Sequence, residues 1–260
     1  MAYNNLLFEA GEGIATITFN RPKALNAMNP ETTWELNDAI TKCIDDEAIK
    51  VVILTGSGDK AFVAGADIPA MASMMPSEVM PIMERGHAVM RLIETMPKPV
   101  IAAINGFALG GGLEISLACD FRFASEKATF GTPEILLGII PGWGGTQRLP
   151  RVIGMGLAKE IVLSGMQIDA KRAYEIGLVN RVCAPDQLIP EARKFATKLA
   201  ALPGFALKMG KYSMNFGADA SLDTANRIEI ACCSECFSTQ DQKEGMKAFL
   251  EKRKANFIGR

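Results

Sequence analysis

Histidine occurs once in 260 residues, at position 87. A single histidine excludes multi-histidine metal sites and leaves a Ser-His-Asp triad only one residue to use. His87 lies in the helix-like HAVMRLIE and is expected to be structural. Cysteine is scarce too, six in all, too few for a disulfide scaffold at this length. Most of them lie in apolar periodic segments, where a thiol packs as a small hydrophobe. Cys232, Cys233 and Cys236 resemble a metal knuckle, yet no second C-x-x-C completes one, so helix packing is expected and no metal. No apolar run approaches a membrane span. The opening MAYNNLLFEAGEG lacks the basic and apolar regions of a signal peptide, so the expected location is the cytoplasm. Charge of either sign is balanced, with 28 Lys and Arg against 29 Asp and Glu. That removes any bulk attraction to nucleic acid or an anionic membrane, and an anionic ligand would need a local cluster.

What the chain has in quantity is apolar sequence, 48% of its residues, enough to bury a sizeable core. LLFEAGEGIATITF reads as a hairpin around Gly-Glu-Gly, with alternation in IATITF. Asn29 is placed to cap a helix with Pro30 at its first position, and Leu36, Ala39, Ile40, Cys43 and Ile44 share one face. VVILTGSG is a short continuous apolar strand of the buried parallel kind. Helix at 78–95 and strand then turn in PVIAAINGFALGGG continue the alternation, so the class is α/β. From about residue 186 the pattern changes to amphipathic segments at 187–201, 203–216, 221–236 and 239–252. The division is therefore a core over 1–185 and a helical region over 186–260. Ser238 with Asp241 has capping-box spacing for the last helix, which carries Met246, Phe249 and Leu250 on one face.

Four stretches hold residues that folding alone does not require: AFVAGADI (61–68), GFALGGGLEISLACD (106–120), FGTPEILLGIIPGWGGTQRL (130–149) and AFLEKRKANF (248–257). In the first two a glycine-bearing turn follows an apolar strand, which presents free backbone N–H groups to a ligand. Those groups suit a developing oxyanion, and a helix starting after the glycines adds a favourable dipole. The glycines at 106, 110, 111 and 112 fit neither the Walker motif nor G-x-G-x-x-G. Glu114 follows them in an apolar run, and Glu134 stands after Pro133 in another. Two partly desolvated carboxylates are the equipment of acid/base chemistry near neutral pH. The plainer alternatives are a Glu114 on a solvated helix side and a Glu134 that merely starts a helix.

These stretches, with NRPKALNAM (20–28), resemble the crotonase family, the enoyl-CoA hydratase/isomerase superfamily, in order and spacing along nearly the whole chain. The resemblance implies a spiral of ββα turns with C-terminal helices that build trimers or dimers of trimers. It implies an acyl-CoA thioester substrate, with CoA part of that substrate, no separate cofactor and no metal. Ala66 and Gly111 would give the two N–H groups that hold the thioester oxygen. Glu114 would activate a water as base for attack at C3 and Glu134 would deliver a proton to C2, with Gly142 offering an N–H near that water. Ala24 and the loop with Ala64, Asp67 and Ile68 match CoA contacts, while Phe249 and Lys252 match positions that reach a neighbouring subunit's CoA.

Three positions depart from the commonest family pattern: Thr132 for a Gln before Pro-Glu, Pro69 for a Lys after Ala-Asp-Ile, and Trp143 in the variable place of P-G-x-G-G. An inward Trp143 indole would occupy acyl-tail volume and favour short chains. An outward one would pack on a helix and leave length to the methionines of MASMMPSEVMPIM (71–83). The leading function is enoyl-CoA hydration. A Δ3,Δ2-enoyl-CoA isomerase needs only one carboxylate, and a non-catalytic scaffold or RNA-binding member needs neither.

Overall fold

The apolar runs become strands of two sheets, and the chain alternates between them. The computed structural model describes residues 3–259. β1 (Leu6–Gly11) and β2 (Ile14–Phe19) form the expected antiparallel hairpin. After α1 (Pro30–Asp45), β3 (Val51–Gly56) pairs in parallel with β2, and β4 (Ala61–Ala64) leaves for the second sheet. α2 (Ile68–Met71) and α3 (Pro76–Thr95) return the chain to β5 (Val100–Ile104) beside β3. β6 (Phe107–Leu109) then lies beside β4 and leads into α4 (Gly111–Ala118). The next turn repeats this with β7 (Phe121–Ser125), β8 (Thr129–Gly131), a 3-10 turn at Pro133–Leu137, α5 (Gly145–Ile153) and α6 (Met155–Ser164). β9 (Gln167–Asp169) pairs antiparallel with β8, α7 (Ala170–Glu175) follows, and β10 (Arg181–Cys183) joins β7. The strand orders are β1-β2-β3-β5-β7-β10 and β4-β6-β8-β9, so the expected spiral of ββα turns is present. β6 is the element hidden inside the expected strand and turn of residues 99–112, since three residues are too few to show a period.

The continuous apolar strands have two buried faces, and alternation divides them between two cores. Val52 and Leu54 of β3 and Val100, Ala102 and Ile104 of β5 join the main core with Leu36, Ala39, Ile40 and Cys43 of α1. Val51, Ile53, Ile101 and Ala103 point to the opposite face. There they meet Leu188, Ala192, Ala196 and Leu199 of α8 (Leu188–Ala200), so the first of the four C-terminal helices packs on the sheet. α1 begins as expected, with the Asn29 side chain accepting the Thr32 N–H at 2.7 Å.

α9 (Gly204–Gly217), α10 (Leu222–Cys236) and α11 (Gln240–Leu250) complete the chain. Lys211 of α9 is buried and its ammonium donates to Asp120 at 2.8 Å and to the carbonyls of Ile93 and Lys98, which pins α9 to the end of α3. The cap expected of Ser238 belongs to Thr239, whose hydroxyl accepts the Gln242 N–H at 3.1 Å. Ser238 instead donates to Glu235 at the end of α10. Asp241 is buried and accepts the N–H groups of Ile258 and Gly259 at 2.7 and 2.9 Å, folding the tail back onto α11. The inward face of α11 carries Asp241 and Ala248, while Met246, Phe249 and Leu250 point outward. Cys232 is buried and Cys233 exposed on α10, and Cys236 donates to the Cys232 carbonyl within that helix. Among the described residues no helix is long and apolar enough to cross a membrane.

Candidate active site

The two glycine turns predicted to present N–H groups lie side by side. Ala66 bridges to Met28 through its neighbours: Met28 N–H donates to the Gly65 carbonyl at 2.9 Å and Asp67 N–H to the Met28 carbonyl at 2.8 Å. Parallel pairing of this kind leaves the N–H of Ala66 itself directed away from Met28, toward the side where α4 begins. Gly111 is the first residue of α4, where an N–H has no intrahelical partner. Gly65 is close by, since a Cβ on Gly110 or Gly111 would lie 3.6 or 3.9 Å from its backbone.

Both predicted carboxylates converge on these turns. Glu114, on the first turn of α4, is only 2% exposed. Its Oε1 accepts the peptide N–H of Trp143 at 2.8 Å and of Gly145 at 2.7 Å. Burial pushes its carboxyl up to about 7 against the pull of those two N–H groups, with the charge of Glu134 adding and that of Arg148 opposing. The solvated-side alternative for Glu114 is thereby removed. Glu134 sits in the 3-10 turn after β8, and its carboxyl is also raised by burial, its own N–H pulling the other way. Its Oε1 lies over Gly110, where φ is +52° and a Cβ would collide with it. Its Oε2 is buried with no protein partner.

Around them is an apolar cavity of about 180 Å³. Its lining includes Ala64, Ala66, Ile68, Gly111, Gly142 and Trp143 with both glutamates, so the sequence-predicted residues of three separate loops meet there. Trp143 is 4% exposed, and its indole both lines the cavity and packs on a helix, against Gly86 of α3 and Gly111 of α4, so it combines the two placements open to it from sequence. The remaining expected contacts lie elsewhere. Ala24 is exposed on the 3-10 turn Pro22–Ala24, one residue from the Leu25 carbonyl that accepts the Ala64 N–H at 3.1 Å. Asp67 pairs with Arg21 at 2.9 Å. Phe249 is 82% exposed on α11, and Lys252, just beyond it, is exposed with φ +55°. Thr132 is wholly buried, its hydroxyl without a partner, so it does not orient the Glu134 carboxyl. Pro69 is exposed in α2, and His87, expected as structural, stands exposed on α3 rather than in the core. No group of three or more His, Cys, Asp or Glu is placed to hold a metal among the described residues.

Sequence reasoning missed the donors to Glu114 and what holds them. Arg148 of α5 donates to the Trp143 carbonyl at 3.1 Å and to Glu94 of α3 at 3.3 and 2.9 Å. The glycines of PGWGG were the available signal, because backbone donors need a loop that can approach a side chain closely. Met71 and Met83 also line the cavity, from within the methionine-rich stretch.

Parallel strands wound in ββα turns, with two glycine turns beside one buried and one half-buried carboxylate, define the crotonase class of enzymes. The chain belongs to the enoyl-CoA hydratase/isomerase family, whose model matches residues 9–260. A protein called crotonyl-CoA hydratase in Syntrophomonas wolfei is 51% identical over 260 residues, with all of both chains covered. The short-chain-enoyl-CoA hydratase of Clostridium acetobutylicum is 48% identical over 98% of this chain and 97% of that one. The crystal structure of an enoyl-CoA hydratase from Bacillus anthracis superposes with a TM-score of 0.95 at 40% identity, covering 99% of this chain and 100% of the other.

Proposed function

We propose that the chain adds water reversibly across the 2,3 double bond of a trans-2-enoyl-CoA to give the 3-hydroxyacyl-CoA, with short substrates such as crotonyl-CoA preferred. The observation that carries this reading is the buried carboxylate of Glu114 and the half-buried one of Glu134, which line one cavity together with Ala66 and Gly111. In it, the N–H groups of Ala66 and Gly111 hold the thioester oxygen, which makes C3 electrophilic and stabilises the enolate formed on addition. Glu114 takes a proton from water as its oxygen bonds to C3, and Glu134 gives a proton to C2. Both bonds that Glu114 accepts fall on Oε1, which leaves Oε2 for the water. A carboxyl raised to about 7 is half ionised near neutral pH and can pass its proton on.

An isomerase would need only one of these groups, so a second carboxylate buried and held by two N–H donors supports hydration. CoA itself is part of the substrate, and no separate cofactor or metal is invoked. Ala24, Ala64, Asp67 and Ile68 are assigned to the CoA side of the cavity. Phe249 and Lys252 are assigned to the CoA of a neighbouring subunit, in a trimer or a dimer of trimers, and the exposed apolar face of α11 supports that assembly. We place the enzyme in the cytoplasm, with no nucleic-acid or membrane partner. The test is loss of the conjugated thioester absorbance when purified protein meets crotonyl-CoA. An unchanged absorbance would reject the hydratase reading, and equilibration of a 3-enoyl-CoA without hydration would install the isomerase.

A further inference from the structure

We infer that Trp143 and Gly86 together set the acyl length that the cavity accepts, an inference that rests on the hydratase reading for the identity of the ligand. The Trp143 indole is a slab wedged between two helices. Its Cε3–Cζ3 edge faces Gly111 of α4, where a Cβ would lie only 3.0–3.1 Å away. Its opposite edge, with Nε1, Cδ1 and Cε2, fills the space that a Cβ on Gly86 of α3 would need. Trp143 lines the cavity and Gly86, though buried, does not. The ring therefore fills the gap between α3 and α4 and forms the cavity wall on that side.

Gly86 has no backbone reason to be glycine. It lies in the interior of a 20-residue helix and is absent from the residues with positive φ. Glycine there weakens a helix relative to alanine. What its missing Cβ supplies is room for the ring. The indole Nε1 is buried without a partner, so shape rather than a hydrogen bond fixes its position. Its backbone is anchored at the reacting end, through the N–H that binds Glu114 and the carbonyl that accepts from Arg148. With a thioester oxygen on the Gly111 N–H, a ring abutting Gly111 stops a tail only a few carbons beyond. The flexible Met71 and Met83 lie on the lining as well, but a rigid indole braced on both edges is the element that cannot yield.

Trp143→Ala tests this cleanly, because it keeps the peptide N–H that holds Glu114. Wild-type kcat/KM should fall from four to ten acyl carbons. In Trp143→Ala the ten-to-four ratio should rise at least tenfold, with about fourfold expected for each methylene newly buried. Gly86→Ala should drive the ring toward the cavity and lower kcat/KM for crotonyl-CoA by about tenfold or more, and adding Trp143→Ala should restore the profile of the single Trp143 variant. A merely structural glycine would depress all lengths alike and would not be rescued by removing the ring. If Trp143→Ala fails to fold, Trp143→Phe should move the ratio in the same direction by less. Dissociation constants of saturated butyryl- and decanoyl-CoA, read by calorimetry, report the gate without turnover. Protein that binds these thioesters yet leaves crotonyl-CoA unhydrated defeats the hydratase reading alone. Length profiles of Trp143→Ala, or of Trp143→Phe, that run parallel to wild type overturn the gate, as does Gly86→Ala with wild-type activity.

Discussion

The peptide nitrogen of Gly145 lies 2.7 Å from Oε1 of Glu114, and the Trp143 nitrogen shares the same oxygen. These bonds hold one carboxylate oxygen, and in the proposed hydration the other, Oε2, takes the proton from water. Glu114→Gln should retain that geometry while losing the base. We expect kcat to fall about 10²-fold or more in Glu114→Gln and in Glu134→Gln, and the double variant to fall much less than the product of the two. Steady-state hydration of crotonyl-CoA checks this. Near-normal turnover in Glu114→Gln would remove it from the mechanism.

The raised carboxyl of Glu114 makes both activity and stability depend on pH. As a base it must be ionised, so kcat/KM should climb as pH rises through about 7. Stability runs the other way. Below pH 4.5 the folded and unfolded chains both hold this proton, but between 4.5 and about 7 the folded chain keeps a proton that the unfolded chain gives up. Stability is therefore lost as pH rises across that window, by at most about 3 kcal/mol. Glu114→Gln should gain on wild type over the same range in urea unfolding, and parallel curves would contradict the assignment.

Arg148 is a positioning residue, acting on Glu114 through the Trp143 carbonyl and through its charge. Arg148→Met should release the loop and remove a charge that favours the ionised carboxylate. The rising limb of the pH profile should then move to higher pH, and kcat should drop about tenfold or more for a misplacement of ångström scale. Glu94→Gln, which loosens Arg148 without removing it, should give a weaker version of the same change. A loss of stability with an unmoved pH profile would reduce Arg148 to packing.

Phe249 and Leu250 are 82% and 80% exposed on adjacent positions of α11, an apolar surface that a lone chain leaves in water. Replacing both by serine should lower the assembly mass in light scattering and raise KM for crotonyl-CoA, with kcat per folded subunit changed less. An unchanged mass with an unchanged KM would show that this face does not build the site.

Much of the site was legible before folding because its signals are local. Apolar runs bounded by glycine give strands and turns, Gly111 and Glu114 are one helical turn apart, and Asn29–Pro30 announces α1. The helix cap at Thr239 was misplaced by one residue, since Ser238, Thr239 and Asp241 all carry side chains able to cap. Which of them does so depends on where the tail lies, and Asp241 is taken by Ile258 and Gly259.

The sequence by itself determined that two carboxylates would follow glycine-bearing turns in apolar surroundings. Only the tertiary structure decided that Trp143 and Gly145, 29 and 31 residues away, would bind Glu114, that Arg148 would hold the Trp143 carbonyl, and that the indole would line the cavity while packing on Gly86. The reason is physical: period and propensity act over a few residues, whereas a backbone N–H gains a distant partner only when the winding of the chain brings helix, loop and strand to one place.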